Sequence, residues 1–199
     1  MNHTYQPLPL HPLERGIRFF CLRRLSSRRI TFDDRAVTVM TDLSRVTACT
    51  VGRSTPLNSV LALMIERKVR LLLVCEPDGK IVGLLTSRDL SDGKAERILT
   101  KSGGAWEDLV AADVMTLRPK LEALLMEEVL AARVGDIVAT LRKVDRQHAL
   151  VLDRDVETEE RAVRGIFSLS HIGLRLGLNI DPSRRPVTYA ELARAGCAL

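Results

Sequence analysis

Residues 81–90, IVGLLTSRDL, turn a strand directly into a helix, and the rest of the chain is organised around this corner. The apolar residues and glycine of 81–85 predict a buried strand. Thr86 or Ser87 suits a helix N-cap, and Asp89 falls in the first helical turn, where the helix dipole favours negative charge. The corner is therefore a candidate binding site with a hydroxyl and a carboxylate. The same spacing also fits a purely structural capping box.

The corner occurs a second time, at residues 164–172, RGIFSLSHI. The matched positions are Gly83 with Gly165, Thr86 with Ser168, and Asp89 with His171. A second marker agrees, because the tripeptide VMT occurs at residues 39–41 and again at 114–116. We call these two tripeptides the Val-Met-Thr segments. The pattern indicates an internal duplication.

The second copy is longer than the first. Met40 returns as Met115, 75 positions later (115 − 40), whereas Thr86 returns as Ser168, 82 positions later (168 − 86). The charged tract Arg154–Arg161 stands between two strand-like runs, and a hairpin loop absorbs insertions at little cost. We therefore expect most of the additional residues in that hairpin.

Two helices with the same amphipathic pattern occupy corresponding places in the two copies. Their apolar residues recur at i, i+3, i+4 and i+7, which is typical of a helix with one buried face. These residues are Leu57, Val60, Leu61 and Met64 in the first copy, and Val134, Ile137, Val138 and Leu141 in the second. We expect both stripes to be core. Thr55 precedes Pro56, an order that predicts a hydroxyl cap at the start of the first of these helices.

Short apolar runs predict the strands of both copies. The expected strands are Thr47–Val51, Leu71–Cys75, Ile81–Leu85 and His148–Leu152. Residues 77–79, PDG, predict a turn between the second and third of them.

Together these motifs resemble the paired cystathionine-β-synthase (CBS) domains, or Bateman module, over about residues 36–180. In that family each repeat has a Met-Thr segment, a β-α-β-β-α order and a corner of glycine, two hydrophobic residues, Ser or Thr, two variable residues and Asp. The resemblance implies an α/β fold in which two β-α-β-β-α repeats pack with pseudo-two-fold symmetry, plus an N-terminal arm and a short C-terminal helix. It also implies a homodimer formed through exposed helices.

The resemblance divides the chain into five segments. They are a basic N-terminal arm over 1–35, a first CBS repeat over 36–100, a linker over 101–112, a second CBS repeat over 113–180 and a tail over 181–199. The linker begins where Ser102-Gly103-Gly104 breaks the pattern. Thr188 and Glu191 form a capping box that predicts a short helix in the tail.

The resemblance also implies a ligand, because the cleft between paired CBS repeats binds adenosine nucleotides or related molecules. Thr86 would contact phosphate and Asp89 would accept hydrogen bonds from the ribose hydroxyls. The opposite wall would come from the second repeat, at Arg146, Gln147 and His148. Arg146 and His148 are candidates for contacting a phosphate, and they are equally consistent with a solvated rim.

A second, pseudo-symmetric site would use Ser168 and His171, with Arg70 opposite. His171 departs from the family pattern, because a neutral imidazole does not offer the paired acceptors of a carboxylate. We expect this second site to be weak, empty or changed in specificity.

The sequence carries no pattern of a catalytic or metal site. The cysteines are scattered without Cys-x-x-Cys spacing, and no histidines stand at ligand spacing. Motifs of phosphate-binding loops, zinc proteases and serine hydrolases are absent. We therefore expect a regulatory sensor rather than an enzyme, with no metal and no cofactor; its ligand would be AMP, ADP, ATP or S-adenosylmethionine.

The net charge of +5 favours anionic partners, and residues 1–35 hold seven arginines against three acids (7 − 3 = +4). Because this arm has few aromatic residues and no nucleic-acid-binding signature, we expect it to pack on the module rather than to bind nucleic acid. The competing hypothesis is a ligand-free scaffold or interaction protein that acts through the arm on an unidentified protein partner. The chain has no apolar run of membrane-spanning length and no secretory signal, which indicates a cytoplasmic protein.

Overall fold

The computed structural model describes residues 30–155 and 158–178. The predicted C-terminal helix and all but the last six residues of the predicted basic arm lie outside the described residues. Among the helices that are described, none is long and apolar enough to cross a membrane.

Each half of the described chain contains the predicted β-α-β-β-α order. The elements of the first half are β1 (Thr41–Asp42), β2 (Thr50–Gly52), α1 (Leu57–Arg67), β3 (Leu71–Cys75), β4 (Ile81–Thr86), α2 (Ser87–Ser91) and α3 (Lys94–Ser102). Those of the second half are α4 (Ala111–Val114), β5 (Thr116–Leu117), β6 (Ala123–Leu125), α5 (Met126–Ala131), α6 (Val134–Lys143), β7 (His148–Arg154), β8 (Arg161–Ser168) and α7 (Leu169–Leu176). Short 3-10 turns lie at Ala36–Val39, Trp106–Asp108 and Arg118–Lys120.

The strands form two four-stranded sheets, with the orders β2-β3-β4-β5 and β1-β8-β7-β6. Strand β5 follows the linker but pairs with β4 of the first repeat, and β1 precedes the first repeat's strands but pairs with β8 of the second. The Val-Met-Thr segments are therefore exchanged, each one completing the sheet of the other half. The α/β fold of two packed repeats is confirmed, and the exchange adds a link between the halves that the repeat pattern did not predict.

The corner glycines explain why each Val-Met-Thr segment fits the other half. A Cβ on Gly83 would lie 2.5 Å from Met115 Sδ and 2.9 Å from the Thr116 carbonyl oxygen. A Cβ on Gly165 would lie 2.5 Å from Met40 Sδ. Each methionine thus occupies the space that a side chain at the glycine would fill. The corner glycine and the Val-Met-Thr segment, which both recur in the sequence, therefore contact each other in both halves.

Strand β3 separates two layers of core, because its side chains alternate between the two faces of the sheet. Leu72 and Val74 pack with α1 in the core of the first repeat. Leu71 and Leu73 point the other way and pack with Leu150 of β7, so that the inner faces of the two sheets meet. The cleft described below lies at the edge of this inter-sheet contact.

The predicted helix stripes are core with one exception. All four residues of the α6 stripe are buried, and so are Leu57, Val60 and Met64 of α1. The prediction for Leu61 is wrong, because its side chain is 43% exposed. Its counterpart Val138 is buried in a cluster to which Ile30 and Phe32 also belong, whereas no described element covers the corresponding edge of α1.

Two local predictions near α1 are also corrected. Strand β2 begins at Thr50 and ends at Gly52, so the strand predicted for Thr47–Val51 is displaced toward the C-terminus. Helix α1 has Pro56 as its N-cap and no side-chain cap, so Thr55 does not cap it. The Leu57 N–H instead donates to the Leu109 carbonyl at 3.0 Å, and this backbone bond from a distant segment replaces the predicted hydroxyl.

The longer second copy gains most of its residues in the β7–β8 hairpin, as predicted. Leu71 pairs with Thr86 across β3 and β4, a separation of 15 residues (86 − 71). His148 pairs with Ser168 across β7 and β8, a separation of 20 (168 − 148). Five of the seven additional residues (82 − 75) are therefore in the hairpin.

Candidate ligand-binding cleft

Thr86 and Asp89 form the predicted corner at the junction of β4 and α2. Thr86 is the N-cap, and the Asp89 carboxylate oxygen Oδ2 accepts hydrogen bonds from the Thr86 N–H at 2.8 Å and from the Thr86 hydroxyl at 2.6 Å. The structural capping box is therefore present. It occupies only one carboxylate oxygen, so Oδ1 keeps its capacity to accept a hydrogen bond from a ligand.

Lys94, at the start of α3, lies behind this carboxylate. Its ammonium Nζ is 4.0 Å from Asp89 Oδ1. It also donates hydrogen bonds to the carbonyl oxygens of Val114 and Met115, the latter at 3.2 Å. Lys94 thus connects the corner of the first repeat to the second Val-Met-Thr segment.

A cavity of about 440 Å³ opens at the corner, between the two repeats. This volume is within the range of small-molecule sites, about 300–1,000 Å³. Its lining residues are Arg70, Leu84, Thr86, Ser87, Arg88, Asp89, Ser91, Asp92, Thr116, Lys120, Leu121, Glu122, Asp145, Arg146, Gln147, His148, Leu150 and Ser170. Of the eight predicted site residues, the structure brings together six in this cavity: Arg70, Thr86, Asp89, Arg146, Gln147 and His148.

Arg70 lines the cavity of the first corner, although the sequence associated it with the second. Its Nη1 donates to the Ser170 hydroxyl at 3.2 Å. Within the part of the chain that the structure describes, no ion pair joins Arg70 to a carboxylate. An arginine beside a cleft without an acidic partner is suited to an anionic ligand group.

The other two arginines of the cavity are neutralised by nearby acids. Arg146 forms an ion pair with Glu122 at 2.8 Å. Arg88 lies 3.1 Å from Asp92 and 3.8 Å from Asp145. Arg146 was predicted as a candidate to contact a phosphate, but its charge is already balanced by Glu122. The charge of Arg70 is not balanced by a carboxylate of the described residues.

Gln147 and His148 contribute polar atoms that lack partners. Gln147 Oε1 and His148 Nδ1 are both buried and have no hydrogen-bond partner among the described residues. Burial and, to a lesser extent, the nearby charge of Arg70 lower the pKa of His148 to about 4. The imidazole is therefore neutral near pH 7. An unsatisfied buried polar atom costs about 1–3 kcal/mol, which favours a ligand or water as the missing partner.

The second corner is built differently, and its predicted residues are not in the cavity. Ser168 is the N-cap of α7 but makes no side-chain cap hydrogen bond. His171 is half-buried, and its pKa is lowered mainly by burial and to a lesser extent by the charge of Arg175. Neither Ser168 nor His171 lines the cavity, whereas Ser170 does.

Backbone hydrogen bonds show which residue of the second repeat is equivalent to Arg70. The Ser87 N–H donates to the Arg70 carbonyl, and the Leu169 N–H donates to the Gln147 carbonyl, both at 3.0 Å. Arg70 and Gln147 therefore occupy equivalent positions, and they face the same cavity. The sequence analysis did not identify Ser170 as a site residue. Its position two residues after Ser168 makes it the equivalent of Arg88, and that match could have identified it.

Comparison with known proteins supports the same fold. Residues 37–95 match the family model of the CBS domain. The inosine-5′-monophosphate dehydrogenase of Korarchaeum cryptofilum (strain OPF8) is 24% identical over 161 residues, covering 77% of this chain and 34% of the enzyme. The chain thus matches about a third of that relative's length.

Two crystal structures share this fold over most of the chain. An uncharacterised conserved protein from Pyrococcus horikoshii is 22% identical, with coverage of 80% of this chain and 99% of that protein and a TM-score of 0.53. A CBS domain structure is 21% identical, with coverage of 70% and 94% and a TM-score of 0.50. Residues 37–95 thus match the CBS domain, and the described part of the chain has the fold of a tandem pair of CBS repeats.

Proposed function

We propose that the cleft binds an adenosine nucleotide or a related adenosyl ligand, and that the protein is a regulatory module rather than an enzyme. The observation that carries the proposal is the meeting of Asp89, Arg70 and His148 in one cavity formed by both repeats. A ligand that touches both repeats binds best when they hold one relative position. Binding would therefore favour that position, which is how a module without catalytic groups transmits a signal.

The ribose end of the ligand is assigned to Asp89. Its Oδ2 accepts two hydrogen bonds from Thr86, and its Oδ1 lies 4.0 Å from the Lys94 ammonium and accepts no hydrogen bond from the described residues. An ionised carboxylate oxygen accepts hydroxyl donors strongly, and such charged hydrogen bonds are worth about 1.5–3 kcal/mol.

The phosphate end is assigned to Arg70 rather than to Arg146 or Thr86. The Thr86 hydroxyl donates to Asp89, and Arg146 is paired with Glu122. Among the described residues, the Arg70 side chain donates only to the neutral Ser170 hydroxyl, and His148 Nδ1 has no hydrogen-bond partner. The charge of Arg70 also contributes to the lowered pKa of His148. A phosphate oxygen would supply partners to both side chains.

The proposal is tested by isothermal titration of Asp89→Ala with AMP, ADP, ATP and S-adenosylmethionine. Loss of one charged hydrogen bond predicts an affinity lowered about 10- to 100-fold. The matched control is Asp136→Ala, because Asp136 closes a capping box on α6 with the Arg133 N–H at 2.8 Å and lies outside the cavity. An unchanged affinity in Asp89→Ala would remove the basis of the proposal.

The homodimer is also part of the proposal. It is supported by Leu61 and Ile65, which are one turn apart on α1 and 43% and 68% exposed. Light scattering is expected to give a dimer mass for the full chain and a monomer mass for Ile65→Glu. A monomeric wild-type protein would contradict it. A cytoplasmic location and a regulated protein partner, both expected from the sequence, belong to the same proposal.

A further inference from the structure

Lys94 is placed to act on the ligand-binding carboxylate without touching the ligand. Its side chain is 35% exposed and that of Asp89 is 18% exposed, and Lys94 does not line the cavity. The ammonium has three donors. Two are directed at the carbonyl oxygens of Val114 and Met115, and these contacts hold Nζ next to Asp89.

The two carboxylate oxygens of Asp89 have different roles, one in the capping box and one proposed for the ligand. Oδ2 receives both hydrogen bonds from Thr86, at 2.8 and 2.6 Å. Oδ1 has Lys94 at 4.0 Å, which is near enough for electrostatic attraction and too far for a hydrogen bond. The lysine therefore favours one orientation of the carboxylate while leaving the Oδ1 lone pairs available.

The second repeat shows what happens when the carboxylate is absent. Five residues after Asp89 stands Lys94, and five residues after His171 stands Leu176. Leu176 is buried in the core cluster that contains Val39, the counterpart of Val114. The second repeat thus has an apolar residue at the position of Lys94, and the charged side chain occurs in the repeat that has the carboxylate.

We infer that Lys94 is a positioning residue for Asp89, and that it sets the ability of the cleft to distinguish ribose from deoxyribose. The inference rests on the proposed binding of an adenosine nucleotide. Because Asp89 Oδ1 would accept from a ribose hydroxyl, an incorrectly oriented carboxylate weakens the contact with that hydroxyl and leaves the base and phosphate contacts in place.

The test compares AMP, ADP and ATP with their 2′-deoxy and 3′-deoxy forms by isothermal titration. For wild-type protein, removal of the hydroxyl that Asp89 contacts is expected to lower the affinity about tenfold or more. The ratio of interest is the affinity for the nucleotide divided by the affinity for its deoxy form. Lys94→Leu, which introduces the residue found at the equivalent position of the second repeat, is expected to reduce this ratio at least about threefold. Asp89→Ala is expected to bring the ratio close to one. A change in fold stability alone would lower both affinities and leave their ratio unchanged.

The control is Lys101→Leu, because Lys101 is an exposed lysine at the other end of α3 and lies outside the cavity. It is expected to keep the wild-type ratio. If Lys94→Leu does not fold, Lys94→Gln serves instead, since its amide still donates to a carbonyl while the positive charge is lost.

The outcomes separate this inference from the proposed function. If the affinity ratio falls to about one in Asp89→Ala but keeps its wild-type value in the folded Lys94 variants, the role of Lys94 is refuted and the proposed binding site is retained. If wild-type protein binds none of the nucleotides, or Asp89→Ala binds them as well as the wild type does, the proposed function itself is refuted.

Discussion

The two corners of the duplication share one backbone path and differ in what their side chains do. At the first, Asp89 closes a capping box with Thr86 and presents its second oxygen beside a cavity. At the second, Ser168 caps nothing with its side chain, and His171 is half-buried away from that cavity. The duplication therefore preserves the packing of the two halves, and only the first corner places its predicted hydroxyl and carboxylate beside the cavity.

The residues that preserve the packing are the corner glycines and the methionines of the Val-Met-Thr segments. Gly83 faces Met115, and Gly165 faces Met40, with the same hypothetical Cβ-to-Sδ distance of 2.5 Å. This contact joins each Val-Met-Thr segment to the sheet of the opposite half. It holds the repeats in register whether or not their corners bind anything.

The largest predicted effect tests whether the two halves are equivalent in packing. Gly83→Ala places its Cβ against the Thr116 backbone oxygen as well as Met115, whereas in Gly165→Ala the three nearest atoms all belong to the Met40 side chain, which is flexible. We expect losses of about 3 kcal/mol for Gly83→Ala and about 1 kcal/mol for Gly165→Ala in urea unfolding.

Shortening the methionines sharpens the same comparison. Met40→Ala should restore most of the stability lost in Gly165→Ala, because it removes the atoms that clash. Met115→Ala should restore less in Gly83→Ala, because the Thr116 carbonyl remains. Equal rescue in both halves would show that the backbone contact is unimportant.

The next effect concerns His148, whose counterpart in the first repeat is Leu71, since the two residues face Ser168 and Thr86 in register. Burial and the charge of Arg70 lower the pKa of His148 from 6.5 to about 4. Between these values the unfolded chain binds a proton that the folded protein does not, so folding stability falls as the pH drops from 6.5 toward 4.

The measurement is urea unfolding at pH 7 and pH 5 for wild-type protein and His148→Leu. The wild type is expected to lose about 2 kcal/mol more than the variant over this interval. A loss of the same size in both would mean that His148 titrates normally in the folded protein.

The smallest effect compares the two cavity arginines. Arg70→Met is expected to lower the affinity for AMP about tenfold, because Arg70 has no carboxylate partner among the described residues. Arg146→Met is expected to change it less than about threefold, because Glu122 already opposes its charge at 2.8 Å and the pair is largely solvated. The reverse order would place the phosphate at Arg146.

Much of the fold was predictable because its signals are local. The strand Leu71–Cys75, the α6 stripe, the corner at Thr86 and the long hairpin all follow from residues that are neighbours in sequence. Leu61 was predicted wrongly because its exposure depends on what covers the helix rather than on helical spacing.

The site was predictable only in part, since it is assembled from distant segments. Matching positions by motif placed Arg70 opposite the second corner, whereas in the structure it lines the cavity of the first corner. Lys94 carries no motif, and its importance appears only when its contact with Asp89 and the Met115 carbonyl is seen. The contacts of Lys94 with Val114 and Met115 depend on the exchange of the Val-Met-Thr segments between the halves.

The central claim is that one corner of the duplicated fold binds ligand and the other does not. It is tested most directly by the stoichiometry of isothermal titration with AMP, ADP, ATP and S-adenosylmethionine. The account predicts saturable binding of at least one of them at one equivalent per chain. Two equal sites per chain, or no binding of any of the four, would contradict it.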